Sequence, residues 1–438
     1  MDSAIVPAEL AIPQAEMAAG ARILNLTRKE EDFLTRPRLR TSIMVEGYAA
    51  GAVDYAELYF AKFWPSPSRG GSRLVVADSG LDVTEAETEG LAASMGPKHA
   101  LWYDSELGPL HGGAKIGLKI PAGATPAEIT NFWRWAIVAL ADEIGSGGHI
   151  VAPDIGTDSL RIAQAMDVIA LLPGRGAEFA AFAAKLPRSG GRVTRIPATG
   201  LGGAIAAAMA WERRGSTIAG RSVAIPGFGI AGQWAAHYAV EAEARVVMAS
   251  DITGGVLNDS RECLDVEALI KHVAAGGPIG EFKGGEPVPR NAVLTTPVDT
   301  IIFAGPGGLV ASRDEIRAIA AIDPARAAET VAAEDVRCQM GVGITNAPAF
   351  PGGVKVLRES GIEWIGYLTG GGLGAYASQQ EILGFDPETI LEKLETKAKH
   401  VNTTVADAAN HWRVPFDRAE WAVGMSTQIQ HARDCGKV

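Results

Sequence analysis

The sequence predicts an α/β protein of two domains, one of them built on a doubly wound parallel sheet. Three observations carry this. Apolar runs of strand length alternate with helix-length segments and end in glycine, asparagine or threonine turns, the order that builds a parallel sheet with ligands at its carboxyl edge. The 438 residues exceed what one hydrophobic core usually serves. Arg221 to Asp251 reads strand, glycine turn, helix, strand. The expected division is 1–190, then 191–375 for the doubly wound domain, then 376–438 as C-terminal helices returning to the first domain.

Within the third stretch, Ser222 to Ile225 is a short apolar run, and Gly227, Phe228, Gly229, Ile230, Ala231 and Gly232 fit G-x-G-x-x-G. Ala231 to Glu243 has helical spacing, with Trp234, Ala235, Tyr238, Ala239 and Ala242 on one stripe, and Arg245 to Ala249 is a second strand. Asp251 follows 251 − 227 = 24 positions after the first glycine. Gly227 allows a turn that a Cβ would block. Gly229 admits a pyrophosphate close to the backbone, and Gly232 lets the helix approach its strand. The helix N-terminus offers N–H groups and partial positive charge to phosphates, and the acid suits a ribose. A plain glycine turn in a parallel sheet is the competing explanation, and the acid at this distance argues against it.

Bulk properties narrow the partners. An apolar share of 47% and a charged share of 21% describe an ordinary globular protein. A net charge of −11 argues against nucleic acid or an anionic membrane. Cys263, Cys338 and Cys435 are scattered, suit a reducing compartment and form no metal or redox pair. The first residues lack a basic start before an apolar run, and no stretch is long enough to span a bilayer. A soluble, cytoplasmic protein without a metal site is expected.

Before the glycine turn the candidates are sparse. Glu46 to Phe63 reads as helix or strand packing of the first domain. In SPSRGGSR, Arg69 and Arg73 flank a Gly-Gly turn, where a guanidinium can grip a carboxylate or simply lie in solvent. His111 to Lys115, HGGAK, reads as a glycine-softened turn. Its lysine, if partly desolvated, acts on a carbonyl or a water; the alternative is a surface lysine on a strand entering at Ile116. His111 is either a proton relay or a structural histidine.

Thr125 as N-cap, Pro126 at N1 and Glu128 at N3 start a helix whose apolar rhythm runs to Ile144, stopped by Gly145. Asp154, between a proline and a glycine after an apolar run, is either a helix N-terminal partner or a catalytic carboxylate. Arg188 to Arg195 reads as a hinge, and Pro197 to Gly203 opens a small-residue helix. Gly254 to Asp265 is polar. Strands are expected at Thr300 to Phe303, Val336 to Met340 and Ile362 to Tyr367, and helices from Arg313, from Asp386 to about His400, and from Asp417 to His431.

GGAK at 112–115, APDIGT at 152–157, ATGLGG at 198–203, GFGIAG at 227–232 and SDITGGV at 250–256 occur in the order seen in the glutamate/leucine/phenylalanine/valine dehydrogenases, which the chain resembles from Ser66 to Ser378. Its length is nearer the hexameric glutamate enzymes. The resemblance implies an N-terminal α/β domain for substrate and oligomerisation, a Rossmann-type dinucleotide domain and a cleft between them. It implies Lys115 as catalytic lysine and Asp154 as catalytic aspartate, side by side although 154 − 115 = 39 positions apart. Arg69, Tyr103, His111 and Asn346 are the substrate-binding candidates. Thr199, Gly227, Phe228, Gly229, Ile230, Ala231, Gly232, Asp251, Ala304, Gly305 and Asn346 are the cofactor-binding ones. NAD is the expected cofactor because Asp251 repels a 2′-phosphate, with NADP as the alternative through Arg261. A closed homo-oligomer, a hexamer above others, is also implied.

The likeness has gaps. The family's lysine for the substrate α-carboxylate lies twelve positions before the catalytic one, where this chain has Tyr103, and the lysine of its K-G-G motif is Arg69. Its A-N-A-G-G turn becomes Thr369, Gly370, Gly371, Gly372 and Leu373, and its serine falls near Ala377, beside Ser378. Asn346 and Pro348 are retained in GITNAP. The expectation is reversible oxidative deamination of a non-standard amino acid to a 2-oxo acid. The alternatives are a dehydrogenase of an amine or hydroxy or carbonyl compound without that carboxylate, and a nucleotide-binding subunit without activity.

Overall fold

The computed structural model describes residues 22–31, 38–49, 52–62, 68–77, 83–144, 148–171, 182, 195–258, 260 and 263–435. Two compact units form: Met1–Val193 with Ser378–Pro387 and Gly424–Val438, and Thr194–Ala377 with Glu388–Val423. The division thus runs through the C-terminal helices. All but the last residue of the expected hinge at Arg188 to Arg195, and Arg261, lie outside the described residues. Among the described residues no helix is long and apolar enough to cross a membrane.

The first unit carries a six-stranded sheet of β1 (Arg22–Glu31), β2 (Arg38–Ala49), β3 (Ala52–Lys62), β4 (Ser68–Val76), β5 (Gly112–Ile120) and β6 (His149–Pro153), in the order β1-β2-β3-β5-β4-β6. Pairing is antiparallel from β1 through β3 to β5 and parallel among β5, β4 and β6. Of the stretch Glu46 to Phe63, the described residues 46–49 and 52–62 are therefore strand. Helix α1 (Glu85–Leu101) is followed by α2 (Pro126–Ala139) and α3 (Ser159–Leu171). Leu58, Phe60, Ile116 and Leu118 of the sheet form one core with Trp133 and Ile137 of α2 and Ile162 and Ile169 of α3. Each such buried side chain stabilises the fold by about 1.5–3 kcal/mol.

Two expected turns are strands. Gly70 and Gly71 lie inside β4, where a Cβ on Gly70 would meet the Ala114 carbonyl oxygen at 1.6 Å. HGGAK also runs straight into β5, which starts at Gly112. There a Cβ on Gly113 would lie 2.1 Å from the Ala92 carbonyl oxygen of α1. These glycines serve close backbone approach, which a sequence cannot tell from turn formation. The Thr125–Glu128 capping box is present, but α2 ends at Ala139, five residues before Ile144. Leu140 and Ala141 close onto Ala136, Ile137 and Val138 in a tight turn, and Ile144 pairs with His149.

The second unit begins with α4 (Arg195–Arg213), then β7 (Ser222–Pro226), α5 (Ile230–Glu241), β8 (Arg245–Asp251) and β9 (Gly254–Leu257). Next come α6 (Val266–Ala274), β10 (Glu286–Val288), α7 (Ala292–Thr295) and β11 (Thr300–Phe303). A small pair of strands, β12 (Val310–Ala311) and β13 (Val331–Ala332), encloses α8 (Arg313–Ala320) and α9 (Pro324–Glu329). Then follow β14 (Met340–Gly343), α10 (Pro351–Glu359), β15 (Glu363–Ile365), α11 (Tyr367–Gly370), α12 (Leu373–Ile382), α13 (Pro387–Trp412) and α14 (Phe416–Asp434).

The main sheet has the order β10-β9-β8-β7-β11-β14-β15 and is parallel from β8 to β15. The chain moves from β7 to β8 on one side and to β11 on the other, so the topological switch point lies between β7 and β11. Small residues bring α4 close: a Cβ on Gly200 would lie 2.4 Å from the Ala235 nitrogen of α5, and one on Gly203 would lie 2.3 Å from the Ile344 side chain.

Several expected bounds shift. The strand expected at Val336 to Met340 starts where it was to end, because Arg337 and Gln339 bond to Leu294 of α7 and to Asp299 just before β11 instead of to a strand. The one expected at Ile362 to Tyr367 shortens to β15. On α5 the tightly packed face is Gly232, Ala235, Ala236 and Ala239, whereas Trp234 and Tyr238 are half-buried and stack at 5.8 Å. The helix expected to end near His400 continues to Trp412.

Candidate functional site

In the first unit Lys115 lies mid-strand with no exposed surface, its Nζ donating to Asp154 Oδ2, while Asp154 keeps 15% of its side chain exposed. The acid sits just past the end of β6. Its backbone N–H donates to Thr157 Oγ1 at 2.8 Å, and its Oδ1 accepts from the Ile155 N–H at 2.8 Å. Burial, with the Arg73 and Lys98 cations nearby, holds the Lys115 amine well below the usual lysine range, and the Glu87 charge opposes this. Contact with Asp154 also favours the ammonium, but complete desolvation outweighs both. The result is an amine able to change charge against a carboxylate that reaches solvent.

A second cluster in this unit surrounds Arg69, which is buried on β4. Its Nη1 donates to Gln379 Oε1 at 3.0 Å, and Gln379 Nε2 donates to the Leu107 carbonyl at 2.9 Å, which orients the amide. His111 touches the same Gln379; burial and the Arg69 charge push its pKa down to about 3. His99, whose Nδ1 lies 3.1 Å from the Gly112 carbonyl, is also held well below the ordinary histidine value by burial and by Arg69. The cluster therefore offers one fixed positive fork among neutral donors and acceptors. The Tyr103 ring lies 6.1 Å from that of His431.

In the second unit the G-x-G-x-x-G turn joins β7 to α5. Gly227 has φ +97°, and a Cβ there would lie 2.2 Å from the Gly305 nitrogen at the end of β11, so the turn sits at the switch point. Ala304 donates to the Pro226 carbonyl at 2.9 Å, and Thr345 Oγ1 to the Gly305 carbonyl at 2.6 Å. A Cβ on Gly232 would lie 2.0 Å from the Gly227 carbonyl oxygen, whereas one on Gly229 would meet nothing within 4 Å. Gly229 caps α5 without a side chain, so the helix presents bare N–H groups to open space, which fits a pyrophosphate. Asp251 ends β8, and its Oδ1 accepts from the N–H and Oγ1 of Thr253 at 2.7 and 2.6 Å. These bonds fix one oxygen of the carboxylate at the end of β8. Phe228 is buried, Ile230 and Ala231 begin α5, Thr199 lies on α4 and Asn346 follows β14.

Residues 190–433 match the family model for the Glutamate/Leucine/Phenylalanine/Valine dehydrogenases. The chain belongs to that family. It is an oxidoreductase, an NAD(P)-dependent dehydrogenase acting on the CH–NH2 group of its donor. Among similar proteins, the glutamate dehydrogenase of Aeropyrum pernix is 28% identical over 315 residues, 70% of this chain and 74% of that protein. The NADP-specific glutamate dehydrogenase of Saccharolobus shibatae is 29% identical over 309 residues, 70% and 69%. The hetero-hexameric glutamate dehydrogenase of Thermus thermophilus, in its Leu-bound form, superimposes with a TM-score of 0.71 at 25% identity, covering 88% of this chain and 86% of that one. The Peptoniphilus asaccharolyticus glutamate dehydrogenase shares the fold, with a TM-score of 0.68 at 21% identity over 93% and 94%.

Against this dehydrogenase family three residues went unread in the sequence. Lys98 lies 115 − 98 = 17 positions before Lys115, buried on α1, where its charge bears on Lys115 and His99. It lies 103 − 98 = 5 positions further from Lys115 than Tyr103, with a one-turn helix at Ser105–Leu107 between. A lysine on the buried face of α1 was the available signal. Gln379 had none, lying 310 positions from its partner Arg69. Glu87 sits in the first turn of α1, where an acid is ordinarily read as a helix-end charge.

Proposed function

We propose reversible oxidative deamination of a 2-amino acid to a 2-oxo acid and ammonia, with Lys115 and Asp154 as the catalytic pair and NAD as the preferred cofactor. The observation that carries this is the direct contact between the buried Lys115 amine and the Asp154 carboxylate. Asp154 accepts a proton from the substrate ammonium, leaving the neutral amine from which an imine can form. When bound, the dinucleotide supplies the hydride acceptor for the amine-bearing carbon. Lys115, as ammonium, stabilises negative charge on the oxygen that appears when water adds to the imine, and Asp154 returns a proton to the departing nitrogen. Lys98 anchors the α-carboxylate. With that anchor available, a substrate lacking the carboxylate loses its motive.

Arg69, Gln379 and His111 read the substrate side chain. A guanidinium in place of the family's ammonium, fixed by an amide, favours a side chain ending in a carboxylate or another acceptor at a spacing different from that of glutamate. The family's glutamate-specific members support an acidic class, and the arginine supports a non-standard member of it. Asp251 beside the ribose disfavours a 2′-phosphate, which supports NAD. We propose a closed homo-oligomer by likeness, checked by light scattering. The deciding experiment measures absorbance at the reduced-nicotinamide band with L-glutamate, L-aspartate, L-2-aminoadipate, L-leucine, L-phenylalanine and simple amines, each with NAD and NADP. Turnover of an acidic amino acid with NAD is expected. Turnover of amines alone, or of none, overturns the reading.

A further inference from the structure

Asp154 Oδ2 faces two cations. Lys115 Nζ is in contact with it, and Arg73 Nε lies 3.5 Å away, the outer limit of a bonded distance. The same guanidinium holds Glu87 Oε1 through Nη1 at 2.5 Å, so of these two carboxylates the closer is on α1. Glu87 is well set for this task. Its backbone N–H is bound by the Thr84 cap at 3.1 Å, fixing the first turn of α1, and its side chain is 24% exposed against 6% for Arg73.

We propose that Glu87 is a positioning residue of the Lys115–Asp154 pair: by holding Arg73 it keeps the second cation from closing on Asp154. This rests on the reading that Lys115 and Asp154 carry the proton chemistry. A carboxylate bound by two close cations and a backbone N–H is a poor proton acceptor, so a base beside Lys115 needs Arg73 balanced elsewhere. Among the described residues, the charged groups bearing on Lys115 are Glu87 and Lys98 from α1, Arg73 from β4 and Asp154 beyond β6; the residue paired with it on β3 is Ala61. Of these, Glu87 and Asp154 are the anions, and the Glu87 charge raises the Lys115 pKa while Arg73 lowers it. A salt bridge serving only to staple α1 to β4 would have no such reach.

Glu87→Gln keeps the shape and removes the charge. The pH profile of kcat, measured with the fastest amino acid of the panel, is expected to move to lower pH on both limbs by roughly half a unit or more. Glu87→Asp should return most of the displacement. A second reading needs no substrate. Because the folded-state pKa of Lys115 lies below its ordinary value of 10.5, the unfolded chain binds a proton that the folded chain lacks between the two, and stability rises with pH across that window. In Glu87→Gln this rise in melting temperature should start at lower pH than in the wild type. Should that variant not fold, Glu87→Asp must show the same displacement in smaller degree. Unchanged limbs and unchanged melting profiles overturn the proposal, even if kcat falls uniformly. Full activity in Lys115→Met or Asp154→Asn overturns the underlying reading instead, whatever the Glu87 variants do.

Discussion

Arg69 and Gln379, 310 positions apart in the chain, meet in a buried hydrogen bond of 3.0 Å, and the amide is held in turn by the Leu107 carbonyl. The bond fixes the direction of the Arg69 guanidinium beside two histidines whose pKa values burial lowers. Gln379→Ala should therefore leave Arg69 able to swing and raise KM for the amino acid about tenfold or more, the loss of one buried charge-assisted bond. Little change in kcat is expected at saturation, and affinity for the dinucleotide should stay the same. Steady-state kinetics with the amino acid varied checks this.

Lys115→Met and Asp154→Asn should each lower kcat by roughly a hundredfold to ten-thousandfold, the usual range for a positioned acid–base group. Binding of NAD, followed by quenching of protein fluorescence, should be unaltered, because the fingerprint belongs to the other unit.

Two of the three fingerprint glycines, Gly229 and Gly232, should separate by phenotype. Gly229→Ala meets open space, so thermal stability should change by less than about 1 kcal/mol while NAD affinity falls about tenfold or more. Gly232→Ala presses on the Gly227 carbonyl at 2.0 Å and should cost about 1–3 kcal/mol of stability without any ligand present. Chemical denaturation and NAD titration of both variants check the distinction.

Glu420 of α14 is 1% exposed and accepts the Thr369 N–H of α11 at 3.0 Å. Burial pushes its pKa up to about 8 from an ordinary 4.5, against the bonds from Thr369 and Leu368. The folded chain keeps a proton that the unfolded chain has released above pH 4.5, so this residue makes stability fall as pH rises from 4.5 to about 8. The slope is at most about 1.4 kcal/mol per pH unit. Glu420→Gln retains an acceptor for the N–H groups and should melt at a higher temperature than the wild type above pH 8, with the difference shrinking toward pH 5. Scanning fluorimetry across that range checks it.

What the sequence made legible was local chemistry with an unambiguous spacing. The capping box at Thr125, Pro126 and Glu128 and the glycine turn from Gly227 to Gly232 each use residues only a few positions apart, so pattern and geometry coincide. The meeting of Lys115 with Asp154 came through resemblance, since no periodicity links two strands across 39 positions. Glycines misled where their reason was a neighbour's backbone: Gly70 and Gly113 look like turn residues and are strand residues. Lys98 lay outside the twelve-residue count, and Gln379 was hidden by distance along the chain. The early start assigned to β14 failed because the Arg337 and Gln339 backbone bonds to Leu294 of α7 and to Asp299 instead of to a strand.

At Gly113 the strand bearing Lys115 lies against the backbone of the helix bearing Glu87 and Lys98, with the Gly96 nitrogen 2.4 Å from where a methyl would stand. One hydrogen atom there sets the gap between Lys115 on the strand and the lysine and acid on the helix. Widening it by a single carbon would detune their charges without touching any of them, so damage at this glycine should resemble an electrostatic lesion more than a packing one.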